Sequence, residues 1–364
     1  MSKKIVTTLS ALLVAGSATF AAAQEKVVNV YNWSDYIDAS ILEDFTKETG
    51  IKVVYDVFDS NEILETKLLA GSSGYDVVVP TADFLQRQIQ AGAFQKLDKS
   101  KLPNISNMWD MVMTRTAQYD PGNEYGLDYM WGTTGIGYNV EKTKAILGSA
   151  DAPTWDVIFK PEIAAKFKDC GIYLLDSPTD IVPTALLYLG LDPNSHNPDD
   201  LKKAEELLLT VRPNIRKFHS SEYINALANG DICLAVGWSG DVLQARDRAA
   251  EAKAGVEVGY VVPAQGAKMW FDMMAIPGDA PHVEEAHAFL NYLMKPEVIA
   301  KASDYVFYAN GNKASQAFVS KEVLDDPAIY PKDDVLAKLF SFLPYDPKTQ
   351  RVVTRLWTKV VTGQ

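Results

Sequence analysis

Apolar and polar positions along the chain fall into a repeated rhythm of strand, turn and helix. Residues 27–31 (VVNVY) form a β-rich run, 40–43 (SILE) fit a capping box opening a helix that Gly50 stops, and 51–55 (IKVVY) form a second strand. This is the start of a βαβ unit. Residues 76–79 (DVVV) then read as a buried strand ended by Pro80, and 84–91 as a helix ended by Gly92. Similar units return at 171–176, at 223–228 leading into 232–236, and at 256–262, so two α/β lobes are predicted. Two segments suit the crossings between them. Residues 129–139 (YMWGTTGIGYN) are glycine-rich yet β-like, and 261–276 carry Pro263 and Gly266 ahead of the strand-like 269–276. The expected division places 24–135 and 263–307 in lobe one, and 136–262 and 308–364 in lobe two. Helical patterns cover 283–294 and 297–303, with further helical pieces over 334–363.

Composition agrees with two lobes. The chain has 364 residues, 47% of them hydrophobic, and a single core rarely grows past ~250–300 residues. Charge narrows the partners. Against 47 acidic residues stand only 35 Lys and Arg, a formal charge of −12, which gives no electrostatic reason to approach nucleic acid or an anionic membrane. Small cations are drawn in instead. The first residues read as a secretory signal: Lys3 and Lys4, an apolar run over 5–23, and three alanines ending at Ala23, after which cleavage is expected. Its removal takes away two lysines and no acid, leaving 33 basic against 47 acidic residues. No later run reaches the roughly 18 apolar residues of a membrane span, and no cysteine near the cleavage point offers a lipid anchor. A soluble, exported, monomeric protein is expected, periplasmic in a two-membrane bacterium.

Export changes the reading of the two cysteines. Cys170 and Cys233 each open an apolar segment, so both fit the starts of nearby strands, and an oxidising compartment favours a disulfide. Two buried free thiols are the alternative. Two cysteines are too few for structural zinc, and there is no Cys-x-x-Cys pair.

Enzyme signatures fail at identifiable residues. Gly237-Trp-Ser-Gly-Asp241 has an aspartate where a nucleophile elbow needs its second glycine. Gly135 and Gly137 begin a dinucleotide loop whose last glycine is Val140. His196, His219, His282 and His287 show no i, i+4 pair, so no metal or cofactor is expected. What stands out is an aromatic residue and a carboxylate one to three positions apart at β-rich segments: Trp33 with Asp35, Trp238 with Asp241, and Trp270 with Asp272. Thr81, Asp83, Ser177 and Asp180 add polar groups at further strand ends. Ligands of open α/β sheets collect at such ends. Carboxylates neutralise ammonium groups, and aromatic faces cover methylenes while adding cation–π attraction of roughly 0.5–2 kcal/mol each. Taken singly, each pair is better explained by a core tryptophan and a helix cap. Taken together in an acidic, exported chain, they suit an aliphatic cation.

The strings YNWSDY (31–36), ETGIKVVYDVFDSNE (48–62), MWGTTGIGYN (130–139), RPNIR (212–216), ANGDIC (228–233) and VFYAN (306–310) closely resemble the periplasmic putrescine-binding proteins of ABC polyamine transporters. The resemblance covers the mature chain. It implies a type II periplasmic binding protein: two α/β lobes, each a central sheet flanked by helices, closing on a polyamine in the cleft and delivering it to an inner-membrane ABC permease. It implies an aromatic box of Trp33, Trp238, Trp270 and Tyr308. Asp241 and Asp272 fall on ammonium-binding carboxylates, with Asp180 as a third. Ser34, Asp35 and Thr81 fall on positions addressing the other ammonium, and the resemblance also implies a Cys170–Cys233 disulfide.

Departures bear on the cargo. Putrescine-selective members have Phe at Trp270, Ser at Asp83, Ala at Ser177 and Glu at Asp180, and Ser is usual at Thr81. Trp270 resembles the spermidine-preferring relatives, and Asp83 is a candidate carboxylate for a third amine; a buried, unmatched Asp83 would cost several kcal/mol, so it needs solvent or a cationic partner. The choice between putrescine and spermidine stays open. A sensor presenting polyamine to a membrane receptor uses the same residues, and a periplasmic hydrolase would need a nucleophile or metal not found.

Overall fold

The computed structural model describes residues 26–364, so the expected signal segment and its cleavage after Ala23 lie outside the described residues. Among the described residues there are eleven strands: β1 Val27–Trp33, β2 Lys52–Phe58, β3 Val77–Val78, β4 Gly126–Asn139, β5 Ile172–Leu174, β6 Lys217–Phe218, β7 Leu234–Trp238, β8 Val258–Val261, β9 Ala267–Ala275, β10 Ala309–Asn310 and β11 Leu339–Ser341. They run in the order β2-β1-β3-β9-β4-β7-β5-β6, with β8 and β10 on β4 and β11 on β9. The outer pairs are parallel, β1 with β2 and β3 on one side, β5 with β6 and β7 on the other. Between them β4 and β9 run antiparallel from Gly126 opposite Ala275 to Thr134 opposite Lys268.

That central pair joins the lobes. The predicted crossings are β4 and β9, and because each satisfies the other's backbone groups the two sheets are bonded into one continuous sheet. The first half of β4 lies against β9, while residues from Thr134 onward pair with β7 and β8. Both strands are buried almost throughout, as their near-continuous apolar sequence requires of strands covered on two faces.

Two apolar cores flank this seam. In one, Val28 and Val30 of β1 meet the helices Ala39–Thr49 and Val283–Leu293, with Phe45 edge-on to Phe289 at 5.1 Å. In the other, Trp155, Phe167, Leu174, Leu208 and Trp357 pack together, and the helix Pro347–Thr362 lies on Pro178–Tyr188 and Pro198–Val211. The first helix starts earlier than its apparent capping box. Asp38 is the N-cap, accepting the Ser40 N–H at 2.8 Å and the Ser40 hydroxyl at 2.6 Å, so Ser40 is inside the helix and Gly50 ends it in the left-handed region. In the tail, β11 separates two helices and extends parallel to β9, a short strand that the helical reading of 334–363 passed over.

Cys170 stands two residues before β5 and Cys233 one before β7, and the two strands are parallel neighbours with Ile172 opposite Leu234. Their Cα atoms are 5.5 Å apart and the disulfide between them is formed, closing a sequence separation of 63 residues. A loop of that size removes about 4 kcal/mol of chain entropy from the unfolded state. We therefore expect Cys170→Ala with Cys233→Ala to lower the unfolding free energy by roughly 2–4 kcal/mol in urea titrations. A loss below about 1 kcal/mol would show that the bond does not constrain the unfolded chain.

Candidate functional site

A cleft opens where the carboxyl ends of the parallel strands from both sides meet the crossing pair. Trp33 ends β1 and is followed by Ser34, Asp35 and Tyr36; Thr81 caps the helix Ala82–Gln90 after β3; Asp180 lies in the first turn of Pro178–Tyr188 after β5; Trp238 ends β7, and Asp241 is in the first turn of Ser239–Glu251. All of these line the cleft, with Lys268, Trp270 and Asp272 of β9 and with Tyr308. The three β9 residues share a face because side chains alternate along a strand.

Two carboxylates are held by hydroxyl groups. Asp272 accepts from Tyr36 Oη and Thr81 Oγ1, each at 2.8 Å. Burial pushes its pKa up to about 7, against the pull of those hydrogen bonds. Asp241 accepts from Tyr223 Oη and Tyr308 Oη, again at 2.8 Å each. It keeps an edge open to the cleft, yet the surrounding protein desolvates it enough to raise its pKa to about 6. Among the described residues neither carboxylate forms an ion pair with Lys, Arg or His within 4.0 Å. Each therefore keeps acceptor capacity for a cationic guest.

Asp180 is different. It accepts from Thr134 Oγ1 and Ser177 Oγ at 2.6 Å each, and Lys268 Nζ lies 3.3 Å from its Oδ1. Ser177 and Thr81 are N-cap residues that make no cap hydrogen bond; their hydroxyls bond Asp180 and Asp272 instead. Asn61 fixes Thr81, donating to its hydroxyl at 2.9 Å and accepting its N–H at 3.0 Å.

Aromatic rings wall the cavity. Trp33 and Trp238 face each other across the cleft edge-on at 6.4 Å, and Trp270 stands edge-on to Tyr308 at 5.1 Å. The Trp33 indole N–H donates to the Val79 carbonyl at 2.9 Å, fixing its ring. Two glycines make room for this box. A Cβ on Gly132 would lie 2.6 Å from the Trp270 ring, and one on Gly240 2.5 Å from the Tyr308 ring. The glycine of the apparent nucleophile elbow is thus the seat of a tyrosine, and Ser239 beside it is buried, with its hydroxyl facing the Thr133 N–H at 3.4 Å.

Of the residues singled out from sequence, Trp33, Ser34, Asp35, Thr81, Asp180, Trp238, Asp241, Trp270, Asp272 and Tyr308 come together on this cleft. Ser34 donates to Asp59 at 2.7 Å, and Asp35, exposed at the mouth, lies 3.9 Å from Arg248 of the opposite wall. Asp83 is not on the lining: it is buried in the first turn of its helix, its pKa raised by burial and drawn back by Lys268 and Arg87. Sequence reasoning passed over Tyr36, Tyr223 and Lys268. Tyr36 closes the YNWSDY string and was legible there; a lysine inside an apolar crossing strand was an anomaly in plain view; Tyr223 carried no signal beyond its apolar helix.

Residues 40–331 match the family described as bacterial extracellular solute-binding protein. The putrescine-binding periplasmic protein SpuD of Pseudomonas aeruginosa (strain UCBPP-PA14) is 55% identical over 367 residues, spanning 100% of both chains. The putrescine-binding periplasmic protein PotF of Escherichia coli (strain K12) is 56% identical over 354 residues, 97% of this chain and 96% of its own. The spermidine/putrescine ABC transporter substrate-binding protein PotD from Streptococcus pneumoniae superimposes with a TM-score of 0.79 at 29% identity, over 93% of this chain and 99% of its own. The resemblance read from the motif strings is borne out along the whole chain. With its cleft between two α/β lobes and end-to-end similarity to such proteins, this chain belongs to the bacterial extracellular solute-binding protein family.

Proposed function

We propose that the protein captures a polyamine, putrescine or spermidine, in the cleft and presents it to an inner-membrane ABC permease from the periplasm, after cleavage of its signal at Ala23. The observation that carries this reading is the pair Asp241 and Asp272: one half-buried and one buried carboxylate, oriented by hydroxyl groups, without an ion-pair partner among the described residues, and flanked by Trp33, Trp238, Trp270 and Tyr308. Ammonium groups answer the carboxylates, and the methylenes between them lie against indole and phenol faces. Relatives named for putrescine binding, similar along their full length, support the same cargo.

Closure follows from how the contacts are shared. Trp33, Ser34, Asp35, Thr81 and Asp272 belong to one lobe, and Asp180, Trp238 and Asp241 to the other, with Trp270 and Tyr308 beside the seam. A ligand touching both sets binds the closed form better than the open form, and only that difference shifts the equilibrium. Closure is then what a permease reads.

Protonation tunes this capture. Both carboxyl groups bind protons more tightly in the folded protein than unfolded, so the empty protein loses stability as pH rises from about 4 through about 6 to 7. A dication needs both groups ionised, so binding expels protons and restores stability at the upper end of that window. Calorimetric titration with putrescine should give affinity at least roughly tenfold higher at pH 7.5 than at pH 5.5, with proton release between buffers of different ionisation enthalpy. Equal affinity at the two pH values would remove these groups from the ligand site. At pH 7.5, Asp241→Asn should weaken putrescine by at least tenfold, about 1.4 kcal/mol. An unchanged titration would place the ammonium elsewhere.

A further inference from the structure

Lys268 is a basic side chain where the rest of the cleft is acidic. It lies on β9 two residues before Trp270 and four before Asp272, on the same face and along the same cleft. Only 4% of it is exposed. Its ammonium sits 3.3 Å from Asp180 Oδ1 and 5.5 Å from the centre of the Phe342 ring. Buried Asp83 faces the same charge, as does Asp272 from further along the strand. A buried ammonium costs several kcal/mol unless paired and hydrogen-bonded, and Asp180 is what pairs it. Conversely, without Lys268 the carboxylates of Asp180 and Asp83 would lie buried beside each other with Arg87 as the other cation near Asp83, and Arg87 is held bidentately by Glu65 at 2.6 and 3.0 Å.

We infer that Lys268 is a built-in ammonium group that fills the cation place beside Asp180 and so restricts the cleft to ligands with two ammonium groups, served by Asp241 and Asp272. The inference rests on the polyamine reading above and names the determinant of its specificity. A diamine meets two free carboxylates and an aromatic wall. A triamine brings a third positive charge to the end of the cleft where Lys268 already stands, and meets repulsion where a carboxylate alone would have attracted it. Asp83, which in sequence suggests a place for a third amine, is buried off the lining, and Asp180 is neutralised from within by Lys268.

The test is the ratio of spermidine to putrescine affinity, measured calorimetrically on protein unfolded, dialysed and refolded to remove carried-over ligand. Wild type should bind putrescine more tightly. Lys268→Met, which keeps the length of the side chain without its charge, should raise the spermidine-to-putrescine ratio at least tenfold, and Lys268→Gln, which retains a donor for Asp180, should do the same where the Met variant does not fold. A merely structural lysine would change both affinities together and leave the ratio alone. Wild type that prefers spermidine, or a ratio that rises less than tenfold in folded variants, overturns the inference. Wild type that binds neither polyamine overturns the proposed function instead.

Discussion

The desolvation of Asp241 and Asp272 is the constraint around which the cleft is organised. A carboxylate taken out of water needs replacements for its lost hydrogen bonds, and here four hydroxyl groups supply them, three from tyrosine and one from threonine. Hydroxyl groups orient the charge without cancelling it. A lysine or arginine in their place would have stabilised the empty protein and left nothing for a guest to neutralise. Asp241 and Asp272 thus keep charge that no basic side chain among the described residues cancels, while Asp180 is paired with Lys268.

The hydroxyls come from four separate places, Tyr36 after β1, Thr81 after β3, Tyr223 on the helix Glu222–Ala228 and Tyr308 before β10, and they converge on carboxylates set at the crossing strands and the end of β7. Strand β9 carries Asp272 and Trp270 directly, and β4, paired with it, ends one wall and starts the other. Because β4 and β9 bond to each other, the seam between the lobes is itself regular sheet, with Gly132 clearing the space that the Trp270 ring occupies. Lys268, Trp270 and Asp272 stand on the fully buried strand β9, while Trp33, Thr81, Asp180, Trp238 and Asp241 sit at strand ends and first helical turns around it.

Much of this was legible in the sequence because it depends on local pattern. The βαβ opening, the two crossings and the aromatic-plus-aspartate pairs announce themselves by periodicity and spacing, and Trp33, Trp238, Asp241, Trp270 and Asp272 meet as that spacing suggested. What was not legible depends on distant partners. Tyr223 reaches Asp241 across 18 residues, and nothing near it marks its role; Tyr36 stands in the YNWSDY string, but its partner Asp272 lies 236 residues away. Asp83 misled for the same reason: it sits in a first helical turn like Asp180 and Asp241, yet its helix turns it into the protein and toward Lys268. The helix start at Asp38 rather than Ser40 was a smaller misreading, in which two adjacent polar residues competed and the one with β-region backbone became the cap.

The seat of Tyr308 on Gly240 has a consequence for motion. Tyr308 packs with Tyr36, Tyr129 and Met130 in one core, while the helix it touches, Ser239–Glu251, contributes Val242 and Leu243 to the other. Its hydroxyl also accepts the Asp241 backbone N–H at 3.1 Å. Lifting this ring from its seat would break two hydrogen bonds to Asp241 in the same movement. The ring and the carboxylate it holds thus move as one unit, so any displacement of Tyr308 also releases Asp241 from two of its contacts.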